Sequence, residues 1–66
     1  MQPKYPEIEV QLVGRSGNAF AIIGTVTNAL RREGISREEI GTFQEEATSG
    51  DYNNVLNTCM SWVTVL

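Results

Sequence analysis

Leu30-Arg31-Arg32-Glu33-Gly34-Ile35-Ser36-Arg37-Glu38-Glu39-Ile40 is a complete helix-stop, helix-start junction. Gly34 can take the left-handed backbone that closes a helix, and Ile35 can then fold back on Leu30. Ser36 and Glu39 stand at capping-box spacing, each side chain placed to satisfy the other's backbone N–H. Ile35 and Ile40 flank the same turn as a hydrophobic staple. The stretch therefore predicts one helix closed by Gly34 and a second one running from about Arg37 to Thr48, with Ile40, Phe43 and Ala47 buried.

Upstream of the junction, Ala19, Ile22, Ile23, Val26, Ala29 and Leu30 recur at helical spacing with Phe20 at the flank. Asn18 is placed as the N-cap of this first helix. Gly24 is costly inside it, by about 1 kcal/mol against alanine, and suggests close approach by a strand. Before the Gly14-Arg15-Ser16-Gly17 turn, residues 7–12 alternate polar and apolar without a break. That period predicts a half-buried strand with Ile8, Val10 and Leu12 inward. Residues 1–6 contain both prolines and read as a loose lead-in.

Downstream, Gly50 stops the second helix and Asp51 caps a third. Tyr52, Val55, Leu56, Cys59, Met60 and Val63 form its apolar face. Val63–Leu66 has strand-like composition and can be helix or strand. The first strand needs a pairing partner, and these last residues are the internal candidate. The fold expected is thus α+β in the order β-α-α-α, with a short C-terminal strand against the first as an added element, in a single small domain spanning residues 1–66. Its expected core is Ile8, Val10, Leu12, Phe20, Ile23, Val26, Leu30, Ile40, Phe43, Val55, Leu56, Met60 and Val63.

With these elements placed, several short motifs stand out. They are Tyr5-Pro6, Gly17-Asn18-Ala19-Phe20, Ile23-Gly24, Ala29-Leu30, Ala47-Thr48-Ser49-Gly50-Asp51-Tyr52 and Met60-Ser61-Trp62-Val63. On them the chain resembles a family of short, uncharacterised bacterial and bacteriophage proteins. The resemblance spans nearly the whole chain and implies a bacterial or phage origin. It carries no catalytic residue over to this sequence.

Composition narrows the chemistry. Sixty-six residues, 41% of them hydrophobic, suffice for one small core without a deep internal cavity. A ligand site would lie on the surface or between subunits. The chain has no histidine, which removes the commonest general base and a common metal ligand. The carboxylates Glu38, Glu39, Glu45, Glu46 and Asp51 do not follow a calcium-loop pattern and read as a solvated acidic face. No metal and no cofactor are expected. The lone cysteine, Cys59, lies on the apolar face of the third helix and reads as a core residue in a cytoplasmic protein. No apolar run is long enough to span a membrane.

Three surface features remain as candidates. Arg15-Ser16-Gly17-Asn18, a glycine-containing turn entering a helix, is a candidate anion site. Arg31, Arg32 and Arg37 form a candidate basic patch for nucleic acid. The net charge of −3 and the acidic second helix oppose that reading. Tyr52 and Trp62 are candidates for a partner surface, an indole at a core margin serving either the core or a partner. The expected function is a non-enzymatic protein-interaction or accessory module. A nucleic-acid-associated protein and a weak anion-binding role are the alternatives, and self-association through the Glu7–Val13 strand is one form of partner binding.

Overall fold

A computed structural model of the chain describes residues 2–11 and 19–66. Strand β1 (Tyr5–Val10) is followed by helices α1 (Ala19–Arg32), α2 (Arg37–Ala47) and α3 (Tyr52–Trp62), then strand β2 (Val63–Val65). The fold is α+β, and the C-terminal strand is present. β1 and β2 pair in parallel, with Tyr5 opposite Val63, Glu9 opposite Thr64 and Val10 opposite Val65, and an irregularity between Tyr5 and Glu9. The three intervening helices supply the long crossover that a parallel pair requires, where an antiparallel pair can close through a tight turn.

The junction folds as its residues dictate. Gly34 has φ +83°. The Ile35 N–H donates to Leu30 O at 3.0 Å and the Gly34 N–H to Arg31 O at 3.1 Å. These are the two bonds of a Schellman ending. Ser36 Oγ accepts from the Glu39 N–H at 3.2 Å and caps α2. The reciprocal half of the capping box is replaced, because Glu39 turns its carboxylate to Lys4 and Tyr5 instead.

The residues around the two prolines are not a loose lead-in. Tyr5 and Pro6 belong to β1, the Lys4 N–H donates to Ser61 O at 2.9 Å, and Thr64 Oγ1 donates to Pro6 O at 2.7 Å. A proline is tolerated here because a two-stranded sheet has only edge strands. The strand therefore starts two residues earlier than alternation predicts and ends at Val10; Leu12 lies outside the described residues, as does Asn18.

Ile8, Val10 and Val63 bury one face of the sheet against the helices, while Glu7 and Glu9 stay exposed. Phe43, Leu30, Val26, Val63 and Cys59 are the largest fully buried side chains. Two core expectations fail: Phe20 is 81% exposed and Met60 52% exposed, whereas Leu56 is half-buried and packs against the core. On α3 the buried face is Val55, Thr58, Cys59 and Trp62. At 100° per residue, that face is rotated by about 80° from the all-apolar stripe read in the sequence. The rotation is possible because Thr58 Oγ1 donates to Glu46 O at 3.5 Å, so its hydroxyl is not buried unpaired. Phe20 lies outside because it sits at the edge of the α1 stripe in the first helical turn, where the neighbouring elements leave a groove.

Gly24 does not mark close approach. Among the described residues, a Cβ built there meets nothing within 4 Å, so they give the residue's helix cost no packing reason. Gly24→Ala is expected to stabilise the protein by about 0.5–1 kcal/mol in urea unfolding. A loss of stability in that variant contradicts the open surroundings of this position.

Candidate functional site

The structure separates the two residues expected to form a partner surface. Trp62 is 4% exposed and belongs to the core. Its Nε1 donates to Glu46 Oε1 at 2.8 Å. Its ring packs edge-on against Phe43 at 5.7 Å and tilts against Tyr5 at 6.0 Å. Lys4 Nζ lies 4.5 Å from the indole centroid, within cation–π range. Trp62 is thus not available as an exposed anchor. Its indole fills the core face that Met60 was expected to fill, and the rotation of α3 is the reason.

Around the indole, Glu39 collects two donors. Lys4 Nζ is 2.6 Å and Tyr5 Oη 3.0 Å from Glu39 Oε2. These contacts tie the start of β1 to α2. The Lys4 ammonium, and after it the Tyr5 hydroxyl, holds the Glu39 carboxyl below its ordinary pKa. The bond to Glu39 raises Lys4 in turn, whereas Tyr5 is raised first by desolvation and then by Glu39. A carboxyl depressed in the folded state contributes stability above its unfolded pKa and loses it as pH falls through the folded value. The stability gap between wild type and Glu39→Gln is therefore expected to hold near about pH 7 and shrink toward about pH 3. An unchanged gap across that range, read by urea unfolding, rejects the tie.

Arg31, Arg32 and Arg37 are exposed around the α1–α2 junction, and Glu33 and Glu38 are exposed among them. Arg31 and Arg32 occupy the last turn of α1, where a cation complements the helix dipole. Arg32 also shares a small polar hollow with Glu9 and Gln11. The cluster is mixed in sign. The candidate anion site, Arg15, Ser16, Gly17 and Asn18, lies outside the described residues.

Cys59 is fully buried, and burial pushes its thiol up to about 11. At about pH 8 its thiolate is then roughly 100-fold scarcer than in an unperturbed thiol. Labelling of the native protein by a disulfide reagent is expected to proceed only at the rate of opening. Modification as fast as in urea contradicts a buried thiol. Among the described residues, no three histidine, cysteine, aspartate or glutamate side chains converge as a metal site requires. No described helix is long and apolar enough to cross a membrane.

One site was missed by sequence reasoning. A largely apolar groove of about 250 Å³ opens between the start of α1 and the α2–α3 turn, walled by Phe20, Ile23, Ala47, Tyr52 and Val55, with Asp51 at its edge. Phe20 and Tyr52 are 81% and 42% exposed. The turn that forms one wall is rigidly built. Asp51 Oδ1 accepts from the Asn54 N–H at 3.0 Å, capping α3. Asn54 Nδ2 reaches back to Glu46 O at 2.8 Å and satisfies the end of α2. The bracket closes tightly on Gly50, where a Cβ would stand 3.0 Å from Asn54 Cβ. The groove is smaller than most small-molecule pockets, which start at about 300 Å³. It suits one large apolar side chain, and among the described residues its lining offers no acid–base pair. No protein-family model, curated protein or solved structure matches this chain.

Proposed function

We propose that the protein is a non-enzymatic protein-interaction module that receives an apolar side chain of its partner in the groove beside Phe20 and Tyr52. The observation that carries this reading is the exposure of two aromatic rings, Phe20 and Tyr52, beside one apolar recess. An exposed aromatic pair around a preformed apolar recess is what hot-spot anchors dock into. The non-enzymatic part rests on the absence of histidine from the chain and on the burial of its one thiol. A free, buried cysteine also fits a cytoplasmic setting.

A second copy added at β1 is a poorer occupant of the partner role. Pro6 offers no N–H, and pairing like strands would set the exposed Glu7 and Glu9 near their counterparts. Nucleic acid is poorer still, because glutamates interrupt the arginines at the α1–α2 junction.

Phe20→Ala truncates a side chain at the surface and is expected to leave stability within about 0.5 kcal/mol of wild type. A partner captured from the source cell and then purified is expected to bind that variant at least about tenfold more weakly. Equal affinity for wild type, Phe20→Ala and Tyr52→Ala rules the groove out as the docking site.

A further inference from the structure

The start of β1 is attached differently from its end. Tyr5 pairs with Val63, but the next paired residue is Glu9, opposite Thr64. Pro6, Glu7 and Ile8 thus have no partner residue across the sheet, and the ladder is interrupted there. After the interruption the strand is anchored through the core, with Ile8 and Val10 buried and the Leu66 N–H donating to Val10 O at 2.9 Å. Before it, Gln2 and Lys4 are exposed, and Pro3 and Tyr5 are half-buried. The contacts that hold this part lie near the surface. The Lys4 N–H donates to Ser61 O, the Lys4 ammonium and the Tyr5 hydroxyl share one oxygen of Glu39, and both side chains lie against Trp62. The Lys4 and Glu39 side chains are 48% and 37% exposed, so water competes for their pairing. A segment held by solvent-exposed bonds and few buried apolar contacts opens at lower free energy than the domain as a whole.

We propose that residues 2–5 form a strap that opens as a unit, hinged at Pro6 and Glu7 and latched by Glu39, and that its opening uncovers the Trp62 indole. Glu39 is the latch because one of its oxygens accepts from both Lys4 and Tyr5, so its loss frees both side chains together. The hinge lies where no ladder partner resists rotation, and Pro6 has no N–H to release. Opening stops at Thr64, whose Oγ1 holds Pro6 O, and at Ile8, seated in the core. The indole is uncovered on one side only. Tyr5 and Lys4 leave it, while Phe43 and Glu46 stay on it from α2. The strap thus places a core aromatic ring under the control of one surface carboxylate.

Native-state hydrogen exchange of the full chain, read by amide NMR over a range of sub-denaturing urea, tests the strap. The Lys4 amide is expected to exchange through an opening that urea barely changes, and the Phe43 amide, inside α2, through one that urea promotes steeply. Val10→Ala weakens the anchored half alone. It is expected to speed Phe43 exchange at least about tenfold and to leave Lys4 within about twofold of wild type. A Lys4 amide that follows Phe43 in its urea dependence or in Val10→Ala opens only with the whole domain, and the strap is overturned. Trp62 is the chain's only tryptophan, so acrylamide quenching of its fluorescence reads the indole directly. Glu39→Lys turns the latch into a repulsion for Lys4 and is expected to raise the quenching constant at least about twofold with the helical circular dichroism retained. If that variant loses helical signal, Glu39→Gln carries the reading, with Lys4 exchange at least about threefold faster. Faster Lys4 exchange with unchanged quenching overturns the uncovering of the indole, and no change in either overturns Glu39 as the latch.

Discussion

Trp62→Ala is expected to destabilise the protein by about 3–5 kcal/mol, the range for removing a large buried aromatic ring. The ring is 4% exposed and contacts Phe43, Tyr5, Lys4 and Glu46, so one substitution unpacks β1, α2 and α3 together. A chain of this length has a total stability of roughly 3–10 kcal/mol. The variant is therefore expected to melt at least about 12 °C below wild type or to be partly unfolded at room temperature. Far-UV circular dichroism is the appropriate probe, since the substitution removes the chain's only tryptophan. Trp62→Phe keeps a ring and loses the Nε1 donor, and is expected to cost only about 1–2 kcal/mol. A cost below about 1 kcal/mol for Trp62→Ala contradicts a core indole.

Phe43→Ala is expected to cost a similar 3–5 kcal/mol, because Phe43 is fully buried and supports the indole edge-on. The two effects are not independent. A double-mutant cycle built from Phe43→Leu and Trp62→Leu keeps enough apolar volume for folding. It is expected to show a coupling of about 0.5–1.5 kcal/mol, the worth of a T-shaped aromatic pair beyond its area. Additive single effects would mean that the two rings do not pack as described.

Both predictions concern contacts between elements, and that is where the sequence becomes hard to read. The α1–α2 junction was legible because every group involved lies within a few residues. Gly34 must take positive φ, Ile35 must reach Leu30, and Ser36 must reach Glu39. The second half of the capping box was not legible, because the Glu39 carboxylate is taken by Lys4, 35 positions away. Tyr5 and Pro6 were misread for the same reason. Their pairing partners are at the far end of the chain, and a proline read alone signals a break.

The α3 face was misplaced by a different mechanism. Apolar periodicity ranks Met60 above Thr58, whereas the fold buries Thr58, whose hydroxyl meets the Glu46 carbonyl, and leaves Met60 exposed. The same rotation carries Trp62 from the margin into the core. The groove could not be read at all beyond its parts. Phe20 at the edge of one stripe and Tyr52 next to a cap are weak signals singly. The recess exists only because the start of α1 meets the end of α2 and the start of α3.

The central claim is that this chain divides four of its aromatic side chains, holding Phe43 and Trp62 inside as structure and leaving Phe20 and Tyr52 exposed beside the groove. Proton NMR with a soluble, uncharged paramagnetic relaxation agent reads that division in one experiment. The ring protons of Phe20 and Tyr52 are expected to broaden strongly, while those of Phe43 and Trp62 stay sharp. A broadened Trp62 indole or a protected Phe20 ring would contradict the assignment of the one to the core and the other to the groove.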